Sequence, residues 1–481
     1  MTNPLLSKVH DRIGGIPGTL GPWQRDLLLA RGLTPSSTLL DLGCGTLRGG
    51  LLLVPELEPG KYTGVDPLAE LVAEGGRLIR EAGLEEKRPS LGTLALLDEL
   101  PHRSQDYVLA QSVLNHLDAE RIRETVWRVA QVLADDGRWV VTAKLSDTVD
   151  GVDPGIPHPS RPNERLESLM GIAWFDGLLN EFGLLRTPLD EWVHPRGLDV
   201  FEIVRDVTAA TTAVASELAT LVGIDTSPDG KEHVAAVDWL SARLRDSRFD
   251  VDAYGDGPAP LIVARRPATG GRGTVVVYGH YDVDHVEGVW ATAPFELCLK
   301  DSRWYGLGVA DNKGALASRL VALDGVERSP EILWLIQGEE ESGSTTLRRY
   351  VEEVGLPSAD WYLDENGWTA RAGSQRILAF RVGDEGHSVG LRADEVAYLD
   401  EVVGVVGRPR HVEARPLNKV FVEGGCPFQK GIPHGGRYVA IGTNDAGTRI
   451  HAPDESIPVA GAIDHVLQFR AFLHAVAEGG V

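Results

Sequence analysis

Short apolar runs that alternate with amphipathic stretches extend through the whole chain and limit the folds open to it. STLLDLG, KYTGVD and DYVLAQS are such runs in the first half, and TVVVYGH and EILWLIQ are such runs in the second. Strands that alternate with helices form layered domains around a largely parallel sheet. The sequence therefore predicts an α/β protein whose functional side chains gather at the carboxyl ends of strands.

The chain is too long for one ordinary hydrophobic core. Its 481 residues predict two domains. We place the boundary between residues 207 and 208, where the helix-like segment AATTAVASELATLVG is about to begin. Residues 1–207 and 208–481 are then expected to fold as separate modules, although no proline- or glycine-rich linker marks the junction.

The charge of the chain is strongly acidic, −23 at pH 7, and no block of lysine or arginine interrupts it. Such a surface repels phosphates, so neither nucleic acid nor an anionic membrane is an expected partner. No apolar run approaches the ~18–20 residues that a membrane span requires. Cys44, Cys298 and Cys426 lie far apart and are odd in number, which fits a reducing compartment better than a disulfide framework. We expect a soluble cytoplasmic protein.

A glycine-rich loop follows the first apolar run. Residues 39–50 read LLDLGCGTLRGG, in which Asp41 closes a strand and Gly43 and Gly45 leave room for a ligand at the backbone. A second run, YTGVD, ends in Asp66, and an acid there can accept both hydroxyls of a ribose. The pattern indicates a nucleoside site, and a tight turn with a helix-capping aspartate is the structural alternative.

With these residues the first module resembles the class I S-adenosylmethionine-dependent methyltransferases over roughly residues 20–205. The LRGG continuation and the segment SQDYVLAQSVLNHL are similar to one bacterial branch of that family. The resemblance implies a Rossmann-like domain that binds S-adenosylmethionine. The loop with Asp41, Gly43 and Gly45 would lie under the methionine part, and Asp66 would hold the ribose. NAD is disfavoured because the loop has no third glycine in dinucleotide spacing.

The methyl acceptor is less well defined by the sequence. Methyl transfer requires alignment of a nucleophile with the sulfonium, in some enzymes with the help of a base. His116 and His158 are candidates for that base, although His116 can equally be a packing residue. No Asn-Pro-Pro-Tyr-type signature of amide or adenine methylation is present, which favours a small molecule as acceptor.

Histidines and acids follow apolar runs at several separate points of the second module. TVVVYG leads into HYDVD, and EILWLIQ leads into GEEESGS, three acids followed by small residues that turn the chain. The segments YGLGVADNKGALA, WYLDENG and RIHAPDES supply further members. Strand ends are where open α/β sheets build their sites. The candidate residues are His280, Asp282, Asp311, Glu340, Glu341, Asp364 and His451.

These imidazoles and carboxylates match a two-zinc hydrolytic site. Zinc binds histidine nitrogen and carboxylate oxygen, and a hydrolase leaves one position open for water. Two metal ions roughly 3.5–4 Å apart need a bridging carboxylate. Adjacent Glu340 and Glu341 would repel each other in a partly buried site unless dications compensated their charge. Each residue alone is better explained as a cap or turn former, but the whole set is not.

The order of these motifs resembles the metallopeptidase family of aminoacylases, glutamate carboxypeptidases, dipeptidases and succinyl-diaminopimelate desuccinylases. The resemblance covers about residues 212–481 and implies a zinc-exopeptidase-like α/β domain with a mixed central sheet. It assigns His280, Asp311 and Asp364 to one Zn²⁺. It assigns Asp311, Glu341 and His451 to the other, with Asp311 as the bridge and with Co²⁺ or Mn²⁺ as alternative metals.

The same resemblance assigns the proton transfers of amide hydrolysis. Glu340 would be the general base that takes a proton from the attacking water and passes it to the leaving amine. Asp282 would tune this base or orient His280. The implied substrates are N-acyl amino acids or peptide-like amides.

One departure from the family concerns the lid. Members normally insert a lid and dimerisation domain between the fourth and fifth ligand motifs, and the interval from Asp364 to His451 is too short for it. We expect the lid to be absent or reduced to a short connection around residues 376–392. His387 could replace the transition-state histidine that the lid supplies, but it can equally be an ordinary loop residue. Loss of the lid predicts a more open site and favours a monomer.

The sequence thus predicts a bifunctional enzyme, a methyltransferase fused to a di-zinc amidohydrolase that acts on small molecules in a specialised biosynthetic pathway. One alternative is a methyltransferase whose second domain is catalytically silent and binds a peptide or an acylated carrier protein. Another is a methyltransferase in which the zinc domain is only structural.

Overall fold

The computed structural model describes residues 18–479, apart from 102, 154–155, 159–160, 167, 325, 327, 366, 372–373, 385–386, 405–409 and 414–426. The chain divides into two compact units, Met1–Asp206 and Val207–Val481. Within the described part, no helix has the length and hydrophobicity that a membrane span needs. Cys44 and Cys298 are free thiols, and Cys426 lies outside the described residues.

The first unit is a mixed sheet between helices. Its helices are α1 Leu20–Ala30, α2 Gly50–Leu53, α3 Ala69–Glu81, α4 Ala95–Asp98, α5 Ala119–Val132 and α6 Ile172–Glu181. Its strands are β1 Leu39–Leu42, β2 Tyr62–Val65, β3 Ser90–Gly92, β4 Gln105–Gln111, β5 Leu133–Ser146, β6 Val152–Asp153, β7 Ile156–His158, β8 Arg161–Leu166, β9 Leu169–Gly171, β10 Leu184–Pro188 and β11 Asp199–Arg205.

The sheet of the first unit runs in the order β10-β11-β5-β4-β1-β2-β3. Five of these strands form a parallel set in the order β5-β4-β1-β2-β3. β11 pairs antiparallel with β5, and β10 pairs antiparallel with β11. Successive residues of β1 pack on opposite faces, Leu39 in one hydrophobic cluster and Leu40 in the other. Burial on both faces explains why this strand reads as an unbroken apolar run. The Rossmann-like prediction is confirmed.

The second unit is larger. Its helices are α7 Thr208–Gly223, α8 His233–Asp246, α9 Gly314–Leu323, α10 Thr345–Glu353, α11 Ala393–Val403, α12 Pro427–Gly431 and α13 Val459–Glu478. Its strands are β12 Asp250–Tyr254, β13 Leu261–Arg266, β14 Gly270–His280, β15 Cys298–Lys300, β16 Arg303–Tyr305, β17 Ser329–Gln337, β18 Trp361–Asp364, β19 Trp368–Thr369, β20 Gln375–Val382, β21 Ser388–Val389, β22 Arg410–Glu413, β23 Arg437–Ala440, β24 Asn444–Asp445 and β25 Ser456–Pro458.

The main sheet of the second unit is mixed, as predicted. It runs in the order β12-β13-β17-β14-β18-β23-β20-β19-β24, and β17, β14, β18 and β23 are parallel. Alternate residues of β14 enter opposite hydrophobic clusters, Val275 and Val277 on one face and Val276 and Tyr278 on the other. Because the central strands are parallel, their carboxyl ends meet at one edge of the sheet.

Residues 376–392, apart from 385–386, are not the short connection that we expected if the lid is reduced rather than absent. They contain most of β20 and all of β21, and β20 pairs antiparallel with β23 in the main sheet. Ile377, Ala379 and Phe380 of β20 are buried in the hydrophobic core. This segment is therefore part of the body of the unit, because its alternating apolar residues fill both sides of the sheet.

Candidate functional site: a metal centre and a cofactor cavity

The candidate metal centre lies at the carboxyl ends of the parallel strands of the second unit. β14 ends at His280, which is paired in register with Gln337 at the end of β17. The acids 339–341 follow directly. Asp311 lies in an irregular turn, Val309–Lys313, that leads into α9. The fold thus brings together groups that are far apart in the sequence.

His280, Asp311 and Glu341 form a cluster in which one ligand atom from each lies within 4.8 Å of the others. The two oxygens of Asp311 face different imidazoles. Its Oδ1 is 3.1 Å from Nε2 of His280, and its Oδ2 is 3.5 Å from Nε2 of His451. Nε2 of His451 also lies 3.0 Å from Oε1 of Glu341. Such a two-sided carboxylate has the arrangement that a bridging ligand requires.

Opposite charges dominate the electrostatics of the cluster. Burial alone would lower the pKa of His280, but hydrogen bonds with Asp282 and Asp311 outweigh it and raise that pKa well above its usual value. Hydrogen bonds with Asp311 and Glu341 raise the pKa of His451 to about 11. The carboxylates therefore favour positive charge between them. A dication can supply that charge, because imidazoles that bind metal are neutral.

Asp282 lies behind His280 and ties it to the acidic loop. Nδ1 of His280 is 3.1 Å from the backbone carbonyl oxygen of Asp282 and 3.3 Å from its Oδ1. The other carboxylate oxygen, Oδ2, accepts the backbone N–H of Glu341 at 3.0 Å. Asp282 is only 3% exposed. These contacts fix the ring of His280 with Nε2 toward Asp311, as the orienting role would require.

The three consecutive acids have different environments. Glu339 accepts the backbone N–H of Thr346 at 2.9 Å and so stabilises the start of α10. Glu341 belongs to the cluster. Glu340 is half-buried beside it, and burial raises the pKa of its carboxyl group. A carboxyl group with a raised pKa is suited to accept and return a proton near neutral pH.

Asp364 is not part of the described cluster. Its Oδ2 accepts the hydroxyl of Tyr438 at 2.7 Å and the side-chain amide of Gln429 at 3.3 Å, and its Oδ1 accepts the backbone N–H of Glu365. The neighbouring Glu365 has a buried Oε2 with no hydrogen-bond partner. Burial and the charge of the adjacent Asp364 raise the pKa of Glu365 strongly, and the nearby His280 opposes that rise. Oε2 of Glu365 is therefore a second candidate ligand atom near His280.

Glu455 is a site residue that the sequence analysis missed. It is 1% exposed, and its carboxylate accepts the backbone N–H groups of Gly308, Ala310 and Asp311 at 2.7–3.1 Å. These bonds hold the turn that presents Asp311. Glu455 lies four residues after His451 in RIHAPDES, and nothing in that spacing distinguishes it from a surface acid.

His387 is exposed in the turn between β20 and β21, where its backbone bonds to Gly383 and Asp384. It is not a member of the described cluster. The structure thus places it as an ordinary turn residue of the main sheet.

A cavity of about 310 Å³ in the first unit lies where the glycine-rich loop follows β1. All four predicted cofactor residues line it. The full lining is Gln24, Asp41, Gly43, Cys44, Gly45, Arg48, Gly49, Asp66, Pro67, Leu71, Gln111, Ser112, Val113, His116, Leu117 and Arg196. Its size is typical of small-molecule sites.

The two acids of the cavity are held differently. Asp66 accepts the backbone N–H groups of Gly45 and Leu68, each at 3.0 Å, and burial raises its pKa. Asp41 is 4% exposed and accepts the hydroxyl of Tyr62 at 2.6 Å. Burial raises the pKa of Asp41 to about 6.

The backbone conformation of the glycine-rich loop requires glycine at two positions. Gly43 and Gly45 have φ of 75° and 54°, in the left-handed region. A Cβ on Gly43 would lie 2.6 Å from Cγ2 of Val113. Glycine at these positions therefore lets the loop turn and lets Val113 pack against it, and the loop lines the cavity together with Val113.

Several buried polar atoms of the cavity have no hydrogen-bond partner. They are Oε1 of Gln24, Oε1 of Gln111, and Nε and Nη1 of Arg48. Buried polar groups normally have partners. A ligand with both acceptors and donors, as the amino-acid end of S-adenosylmethionine has, would satisfy them, so the residues fit this cofactor. His116 also lines the cavity, whereas the side chain of His158 lies outside the described residues.

Comparison with known proteins separates the same two parts of the chain. A family model described as a methyltransferase domain matches residues 40–139, and one described as peptidase family M20/M25/M40 matches residues 276–478. A cysteinylglycine-S-conjugate dipeptidase of Corynebacterium striatum is 33% identical over 118 residues, 23% of this chain and 26% of that protein. A β-Ala-His dipeptidase of Homo sapiens is 33% identical over 165 residues, 31% of this chain and 32% of that protein.

Among solved structures, an M20 family metallo-carboxypeptidase from Sulfolobus solfataricus is 15% identical, with a TM-score of 0.42 over 55% of this chain and 99% of that one. The present chain spans about a quarter to a third of the length of the curated dipeptidases that it matches. The chain carries a methyltransferase domain in its first half and an M20 peptidase domain in its second.

Proposed function

We propose that the protein is a bifunctional enzyme. The first domain transfers a methyl group from S-adenosylmethionine to a small molecule, and the second hydrolyses an amide bond with a pair of divalent metal ions. The names of the relatives, dipeptidases and desuccinylases, support small N-acyl amino acids or dipeptides as substrates of the second domain.

In the second domain, His280, Asp311 and Glu365 would hold one ion, and Asp311, Glu341 and His451 the other. Glu365 replaces Asp364 in this proposal because Asp364 is already engaged by Tyr438 and Gln429. Bound metal ions supply Lewis-acid activation of the amide carbonyl and of the attacking water.

The proton transfers and the positioning of the metal ligands are carried out by side chains of the protein itself. Glu340 accepts the proton of the attacking water and then donates it to the nitrogen of the leaving amine. Its half-buried carboxyl group and raised pKa suit both transfers. Asp282 keeps Nε2 of His280 directed toward Asp311, where both would hold an ion, and Glu455 holds the turn of Asp311.

The observation that carries this proposal is the position of Asp311 between two imidazoles, with one carboxylate oxygen near each. A test is to remove metal with a chelator and then assay a panel of N-acyl amino acids and dipeptides before and after addition of Zn²⁺. We expect hydrolysis that depends on the added metal. A metal-loaded protein that cleaves no member of the panel, or a protein that binds no metal, would favour a silent binding domain instead.

For the first domain, the unpaired polar atoms and glycine backbone of the cavity support S-adenosylmethionine as ligand. We expect calorimetric binding of S-adenosylmethionine and a weaker affinity in Asp66→Ala, because Asp66 would accept the ribose hydroxyls. An unchanged affinity in this variant would contradict the ribose contact.

A further inference from the structure

The cofactor cavity contains a half-buried cation, Arg48, that the ribose and glycine-loop contacts do not explain. Arg48 belongs to the LRGG continuation and lines the cavity, and its Nε and Nη1 are buried without a hydrogen-bond partner. Buried guanidinium nitrogens normally have hydrogen-bond partners, because leaving them without any costs free energy. An anionic ligand in the cavity would supply partners for both nitrogens.

The packing around Arg48 fixes its backbone. A Cβ on Gly21 of α1 would lie 2.7 Å from the carbonyl oxygen of Arg48, and a Cβ on Gly49 would lie 2.5 Å from Oε1 of Gln24. A Cβ on Gly50 would lie 2.4 Å from the hydroxyl of Tyr62. The glycines of LRGG thus let α1 and β2 close on the loop, so that the position of Arg48 is set by the fold.

Charges of both signs act on Arg48 inside the unit. Burial lowers its pKa, the second cation of the cavity, Arg196, lowers it further, and Asp41 partly opposes both. Asp41 in turn accepts a hydrogen bond from Tyr62. Asp66, which also lines the cavity, accepts the backbone N–H groups of Gly45 and Leu68. Because both acids already have partners, a ligand with a negative group would be attracted to the two arginines.

We propose that Arg48, assisted by Arg196, binds the carboxylate of the methionine half of S-adenosylmethionine. This inference rests on the proposed cofactor and assigns its anionic end to a particular side chain. A guanidinium can donate two parallel hydrogen bonds to a carboxylate, which gives geometric selectivity as well as affinity. The buried amide oxygens of Gln24 and Gln111 are then left for the ammonium group of the same ligand end.

The test compares two ligands of the full-length protein that differ only in the carboxylate, S-adenosylmethionine and its decarboxylated analogue. For the native protein we expect calorimetric affinity for S-adenosylmethionine to be about 10–100-fold higher. Arg48→Met should lower that affinity about 10–100-fold and leave the affinity for the decarboxylated analogue nearly unchanged. Arg48→Lys, which keeps the charge but not the planar fork, should lie in between.

Arg80→Met is the matched control, because Arg80 is exposed on α3 and does not line the cavity. A second readout is the melting temperature without ligand. We expect it not to fall in Arg48→Met, since the variant removes two buried nitrogens that have no hydrogen-bond partner.

Equal losses for both ligands, or an unchanged preference for S-adenosylmethionine, would overturn the role of Arg48 and leave the cofactor assignment standing. If the native protein binds neither ligand, the proposed function of the first domain fails instead. If Arg48→Met does not fold, the comparison between the native protein and Arg48→Lys decides, and an identical ligand preference in both would overturn the role.

Discussion

The proposed metal centre and the proposed cofactor cavity are built in opposite ways. The proposed metal centre is made of charged side chains that contact one another, such as His280 with Asp311 and His451 with Glu341. The cavity offers backbone at Gly43 and Gly45, and polar atoms that have no partner in the protein. The order of residue types along the chain therefore defines the first site. Two glycines and one half-buried arginine define the second.

The largest expected effect concerns proton transfer at the metal centre. Glu340→Gln keeps the shape of the side chain but cannot accept a proton, so hydrolysis should fall at least ~10²-fold with metal content unchanged. Steady-state kinetics and elemental analysis measure the two quantities. Glu339→Gln is the control, because Glu339 serves the start of α10 and should retain activity. Near-normal kcat in Glu340→Gln would remove the proposed base.

The next prediction distinguishes two neighbouring acids, Asp364 and Glu365, as zinc ligands. Glu365→Gln should weaken zinc binding by about 10–100-fold, because it would remove a ligand, whereas Asp364→Asn should leave it closer to normal. Competition with a chromophoric chelator gives both affinities. If the loss occurs in Asp364→Asn alone, the ligand assignment made from the sequence is right and the one proposed from the structure is wrong.

Gly43→Ala tests whether cofactor binding depends on the left-handed backbone conformation of Gly43. An alanine there must adopt a left-handed φ and approach Val113, which together should cost about 2–4 kcal/mol of stability. We expect a lower melting temperature and loss of S-adenosylmethionine binding, with zinc binding intact. Gly177→Ala is the matched control in α6, where a Cβ meets no atom within 4 Å. A normal affinity for S-adenosylmethionine in Gly43→Ala would contradict the role of this backbone.

The smallest expected effect is a pH dependence of the stability of the first domain. Burial raises the pKa of Asp41 from 3.8 to about 6, so the native fold loses stability as the pH rises through this interval. Asp41→Asn removes the ionisation and should be more stable than the native protein above pH ~6, by about 1–3 kcal/mol, with little difference below pH ~4. Calorimetry of the unliganded chain at both pH values measures it. A difference that does not change with pH would contradict the buried charge.

The sequence predicted the parts of the protein that periodicity and residue order determine. β14 and β17 were expected from their apolar runs, and the structure places His280 and Glu341 together at their ends. Asp364 and Glu365 could not be distinguished, because both follow β18 and only the contacts of Tyr438 and Gln429 with Asp364 separate them.

Other features depended on tertiary contacts that no local pattern reveals. Residues 376–392 were expected to be a connection, but they pair with β23, a strand that lies some sixty residues later in the chain. Glu455 and Arg48 were missed for the same reason. In the sequence, the buried acid and the half-buried arginine both look like ordinary surface charges, because their contacts are set by the fold.

The central claim is that Asp311 lies between two metal ions in the second domain. The most direct measurement is anomalous X-ray scattering at the zinc edge from crystals of the zinc-loaded protein. We predict two peaks about 3.5–4 Å apart, one on each side of the Asp311 carboxylate. A single peak, or peaks remote from Asp311, would contradict the account.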